Sequence, residues 1–121
     1  MLVVDDNATN QAVLQALLER QGCAVTLAGD GVEAVALAGQ GRFDLILMDM
    51  QMPRMDGLEA TRRIRATPGP NRASRIVGLT AAVGPEEEAQ CRAAGMDDYL
   101  TKPVRRATLE ALLARLASPA G

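Results

Sequence analysis

Histidine and tryptophan are missing from the 121 residues, and the aromatic complement is one phenylalanine and one tyrosine. Without histidine there is no imidazole catalysis, no histidine metal ligation and no phosphohistidine donor role. With so few aromatics, the core must be built from Leu, Val, Ile, Met and Ala. Neither sign of charge dominates. The formal net charge of −2 gives no argument for nucleic acid or an anionic membrane as a direct partner. No apolar run approaches the roughly 18 residues that span a membrane, and no basic-then-apolar leader is visible. Cysteine is confined to Cys23 and Cys91, far apart and without metal-type spacing. They are expected as reduced thiols of a cytoplasmic protein. The length suits one domain, residues 1–121. Its abrupt start within an apolar run is expected of a domain cut from a longer chain.

What is present is a regular alternation. Residues 1–4 form a short apolar run ended by Asp5, Asp6 and Asn7. Asn7 or Thr9 is the expected cap of a helix carrying Val13, Leu14, Leu17 and Leu18 on one face, stopped by Gly22. Strands are expected over residues 23–28, 44–48, 75–79 and 98–101. Helices are expected over 30–40, with Val35 and Ala38 inward, over 57–65, and over 105–117, with Leu109, Leu112, Leu113 and Leu116 inward. A further helix is expected from Pro85 to Gly95, its first turn carrying Glu86, Glu87 and Glu88. Its inward candidates are small: Ala89, Cys91 and Ala93. Residues 67–74 are the most loop-like segment. Five apolar strands alternating with five helices predict a parallel α/β sheet covered on both faces. The expected fold is flavodoxin-like, a three-layer (βα)5 sandwich with strand order 2-1-3-4-5.

The polar residues fall where such sheets bind ligands, at the carboxyl ends of the strands. The first strand runs into Asp5 and Asp6, the third into Asp49, the fourth into Thr80 and the fifth into Lys102. Taken singly, each has an ordinary role as a turn, a cap or a solvated charge; their conjunction at four strand ends is the signal. Three carboxylates gathered within about 4 Å repel by about 4 kcal/mol per pair at an effective dielectric of about 20. A hard divalent cation relieves that, and an all-oxygen donor set with room for water suits Mg²⁺ better than zinc. Lys102 can pair with one carboxylate, Asp49. Mg²⁺ held by few carboxylates commonly takes phosphate as a further ligand. A carboxylate beside Mg²⁺ and an ammonium is a nucleophile suited to phosphorus, and the Thr80 hydroxyl can bond a phosphoryl oxygen.

The stretches VVDDNATNQAVLQALLERQG, DLILMDMQMPRMDGLEATRRIR, IVGLTA and AAGMDDYLTKP resemble the receiver domain of two-component response regulators, most of all receivers of hybrid sensor histidine kinases. The resemblance covers essentially the whole chain. It implies that Asp49 is the phosphoacceptor of a phosphorelay. It implies that Asp6 ligates Mg²⁺ directly, Asp5 mainly through water, and Gln51 through its backbone carbonyl. It makes Thr80 the switch hydroxyl, Lys102 its companion at the phosphoryl group and Tyr99 an aromatic switch. Pro103 matches a proline that usually follows a cis peptide bond, and Asn7 and Asn10 match the first-helix pattern of hybrid-kinase receivers. The implied partners are a histidine kinase or a histidine phosphotransfer domain, with a kinase or output domain in the same parent chain. Gln51 and Ala82 occupy positions that tune phosphoryl lifetime in the family. The fourth helix buries little, so residues 81–98 are expected to respond most to phosphorylation.

Rival functions fit less well. A phosphohydrolase of the haloacid dehalogenase type carries a D-x-D pair at its nucleophile, but Asp49 is followed by Met50 and Gln51. A docking module that has lost its chemistry would lack the acceptor or the lysine. Neither a P-loop nor a G-x-G-x-x-G follows the first strand, which argues against a nucleotide-binding fold. The expectation is a phosphorylation-dependent switch domain rather than a conventional enzyme.

Overall fold

The computed structural model describes residues 1–41, 43–50, 52, 55–66, 74–81, 84–102 and 104–117. Five strands and five helices alternate: β1 (Leu2–Val4), α1 (Ala8–Arg20), β2 (Thr26–Ala28), α2 (Gly31–Ala38), β3 (Leu45–Asp49), α3 (Gly57–Ala66), β4 (Arg75–Thr80), α4 (Pro85–Ala94), β5 (Asp98–Thr101) and α5 (Arg106–Ala117). The strands form one parallel sheet in the order β2-β1-β3-β4-β5, as the alternation predicted.

The period of two along each strand divides the core into two layers. Leu2, Val4, Ile46, Met48 and Ile76 face one side, where Ala34, Ala38, Ala60, Ile64 and Cys91 of α2, α3 and α4 cover them. Val3, Leu45, Leu47, Val77 and Leu79 face the other, under Leu14 and Leu18 of α1 and Leu109 and Leu112 of α5. Strands buried on both faces carry no polar alternation, which is why they read as continuous apolar runs.

Local chemistry sets the ends of the helices. The Asn7 side chain caps α1, accepting from the N–H groups of Thr9 and Asn10; Asp30 caps α2 through Glu33 N–H. Gly95 ends α4 with φ +100°, a left-handed position that favours glycine.

Three expectations need correction. The second strand is Thr26–Ala28 rather than 23–28. It is an edge strand whose single neighbour, β1, offers only three residues to pair with, so its ladder can be no longer. Val13 is 49% exposed because the buried line of α1 runs through Leu14 and Leu18, one step around the helix. In α4 the inward residues are Cys91 and Ala94, while Ala89 and Ala93 are exposed. Alanine gains so little from burial that it does not fix which face turns inward. The side chain of Leu116 and most of the 67–74 loop lie outside the described residues.

Candidate functional site

The carboxyl ends of β1, β3, β4 and β5 converge on one rim. Asp5 follows β1, Asp49 ends β3, Thr80 ends β4 and Lys102 follows β5. Backbone hydrogen bonds lock these positions in register: Asp5 N–H donates to Ala28 O at 3.1 Å, Met50 N–H to Leu79 O at 3.1 Å and Lys102 N–H to Thr80 O at 2.7 Å. From below, Gln11 Nε2 donates to the carbonyls of Asp5 at 2.7 Å and Ala28 at 3.1 Å. Side chains placed by strand ends and tied backbone are held more firmly than side chains on free loops.

Asp5, Asp6 and Asp49 each bring a carboxylate oxygen to within 4.8 Å of the others. Asp5 is fully buried and Asp49 is 3% exposed, so their charges have lost most of their hydration and require compensation. Lys102 supplies part of it: its Nζ lies 3.0 Å from Asp49 Oδ2 and 3.4 Å from Asp5 Oδ2. Burial alone would pull the Lys102 ammonium down; the hydrogen bond and charge of Asp49, and then the charge of Asp5, outweigh it and raise its pKa above the ordinary 10.5. One ammonium set against three carboxylates still leaves the cluster negative. Asp5 Oδ1 accepts from Asn7 N–H at 2.9 Å. Its other oxygen, Oδ2, is within ion-pair range of Lys102 but takes no hydrogen bond among the described residues. A buried, acceptor-only oxygen aimed into an acidic cluster is the kind of group a hard cation satisfies. The donor set of oxygens alone fits Mg²⁺.

The cluster opens into a cleft of about 530 Å³ whose walls include Asp6, Asn10, Asp49, Thr80 and Lys102. The rim residues expected from the sequence are therefore brought together. Tyr99 is not in this wall: it stands on β5, half-buried against the α2–α4 side of the core. Gln51, Pro103 and Ala82 lie outside the described residues. Three further polar residues enter the cleft wall unanticipated: Asp56, Glu87 and Gln90. Asp56 also accepts from Glu59 N–H at 2.9 Å at the start of α3. The spacing of Glu87 and Gln90, three apart on one helix face, was a usable signal; the first turn of α4 reads more readily as a dipole complement. Beside the cleft, Asn10, Val13, Leu14 and Val104 line a second cavity of about 290 Å³, which leaves the Val13 side chain open.

A family model described as the response regulator receiver domain matches residues 1–114. The sensor protein GacS of Pseudomonas syringae is 46% identical over 106 residues, covering 86% of this chain and 12% of the relative. The chain thus spans about an eighth of the length of that curated relative. Among solved structures, the receiver domain of a Pseudomonas aeruginosa sensor histidine kinase, with a magnesium ion coordinated in its active-site cleft, is 45% identical. It superposes with a TM-score of 0.88, covering 97% of this chain and 96% of that one. A Saccharomyces cerevisiae receiver domain, crystallised with its histidine phosphotransfer protein, is 35% identical with a TM-score of 0.82, covering 95% and 83%.

Proposed function

This chain belongs to the response regulator receiver domain family, and from that premise we propose that Asp49 is the residue that accepts the phosphoryl group. The observation that carries this reading is the pairing of a buried strand-end carboxylate with Lys102 at 3.0 Å inside a three-carboxylate cluster. Asp5, Asp6 and Asp49, with the backbone carbonyl of Gln51, would hold Mg²⁺. When bound, the ion neutralises the carboxylates and the charge on the transferring phosphoryl oxygens.

The chain's own residues do the rest. An oxygen of Asp49 attacks phosphorus in line, forming an O–P bond as the P–N bond of a partner's phosphohistidine breaks. The electron pair leaves with the imidazole, which takes a proton from solvent. Lys102 stabilises the oxygens in transit, so positioning and electrostatics supply most of the catalysis. Thr80 donates its hydroxyl to the new phosphoryl group and Tyr99 turns inward behind it, biasing the surface of α4, β5 and α5. The domain is a switch that assists its own modification. Its partners in this reading are a histidine kinase or histidine phosphotransfer domain, and exposed Val13 beside the cleft offers such a protein an apolar contact.

We read residues 1–121 as a single receiver domain of a longer cytoplasmic chain. Cys23 and Cys91 are both free thiols, and no described helix is long and apolar enough to cross a membrane. Intact mass after incubation with acetyl phosphate, with and without Mg²⁺, tests the function. One Mg²⁺-dependent phosphoryl adduct, lost in Asp49→Asn, is expected. An undiminished adduct in that variant would contradict the assignment of Asp49. So would no adduct from either acetyl phosphate or a phosphorylated histidine phosphotransfer protein.

A further inference from the structure

The two ends of α4 are held very differently. At the C-terminal end, the Arg65 guanidinium reaches over from the end of α3. Its Nε donates to Gly95 O at 2.9 Å, its Nη1 to Ser74 O at 2.6 Å and its Nη2 to Asp97 Oδ2 at 2.8 Å. The same Asp97 oxygen accepts from Ile76 N–H at 2.9 Å, and Asp97 N–H donates to Ile76 O at 2.8 Å. One side chain, 21% exposed, thus joins the end of α3, the entry to β4 and the corner between α4 and β5. Charge-assisted bonds from a planar fork are the strong class of hydrogen bond. The corner is moulded to it: a Cβ at Gly95 would stand 2.9 Å from Arg65 Cγ. The buried residues of α4, Cys91 and Ala94, lie in this same half, and Cys91 Sγ is 3.5 Å from Met50 Sδ.

Among the described residues, the N-terminal half has none of this anchorage. Gly84 provides no side-chain cap, no residue from 85 to 90 is buried, and Glu87 and Gln90 form part of the cleft wall. We propose that Arg65 is the pivot of a lever: it fixes residues 91–97, while residues 85–90 swing when negative charge is added in the cleft. A phosphoryl group there meets the like charge of Glu87, which favours displacement of the unanchored half. The swing rests on the reading of Asp49 given above; the pivot does not.

Amide hydrogen exchange tests both parts, on the wild-type chain and Arg65→Gln, each with and without Mg²⁺ and beryllium fluoride as the aspartyl-phosphate mimic. In the wild type, the mimic should change exchange at 85–90 and leave 91–97 unchanged. In Arg65→Gln, 91–97 should exchange on the order of tenfold faster without any mimic, and the mimic-induced change should spread into it. An equal mimic-induced change across both halves of wild-type α4 would overturn the lever, and unchanged exchange at 91–97 in Arg65→Gln would overturn the pivot. Fluorine NMR on the same samples separates the two readings. Absence of a bound fluoride signal would sink the Asp49 assignment and the swing with it, while the mimic-free comparison still decides the pivot. If Arg65→Gln does not fold, Arg65→Lys, which keeps the charge but not the fork, replaces it. Loosening confined to 91–97 and the entry to β4 is expected there, and uniform loosening of all helices would overturn the pivot.

Discussion

Gly57 sets how closely α3 approaches Asp49. A Cβ at this position would overlap the backbone carbonyl of Asp49, and Gly57 N–H donates to Met50 O at 3.3 Å. Gly57→Ala must therefore push α3 away or shift the end of β3. Overpacking of this kind costs about 1–3 kcal/mol, and a melting curve should fall by several degrees. The rate of adduct formation at Asp49 should fall too; an unchanged rate would mean that α3 does not position the site. Lys102 gives a pH signature. Its pKa is raised in the fold, so the stability it contributes is complete below the unfolded value of about 10.5 and is lost as pH rises through the folded value. The stability difference between metal-free wild type and Lys102→Met should be flat from about pH 7 to about pH 10 and shrink only above that range. Shrinkage already near neutrality, followed by denaturant melts, would contradict the ion-pair geometry.

Among the elements, α2 allows a clean test of local control. Asp30 accepts from Glu33 N–H at 2.8 Å, and Asp30→Ala should cost about 1 kcal/mol, read as a lower urea midpoint at unchanged slope. An unmoved midpoint would mean that the cap adds nothing. β3 and β4 were readable from sequence because a strand covered on both faces can carry no polar alternation. The edge strand β2 was not, because its length is set by β1 rather than by its own residues. Val13 belongs to the periodic stripe of α1 yet lies open, since the groove toward Val104 leaves nothing above it. Cys91 and Ala94 were hard to separate from Ala89 and Ala93 because small side chains carry little burial energy. Arg65 was unreadable for a different reason: its partners, Ser74, Gly95 and Asp97, are distant in sequence and meet only in the fold.

At the scale of the whole molecule, parallel pairing and a switch of direction between β1 and β3 bring four strand ends to one rim. That topology gathers Asp5, Asp49, Thr80 and Lys102 from positions spread across the chain. The same residues were recognisable in sequence because each directly follows or ends an apolar run. The cleft wall contributed by α4 was not, because it depends on how that helix sits against the sheet. All the chemistry proposed for the domain converges on a single bond, between phosphorus and an oxygen of Asp49. Borohydride reduction of the phosphorylated chain, followed by peptide mass spectrometry, examines that bond directly, because reduction of an aspartyl phosphate leaves homoserine. Homoserine at position 49, formed only with Mg²⁺ and donor present, is the expected result; homoserine at another aspartate, or a phosphoryl adduct that leaves position 49 as aspartate, would contradict it.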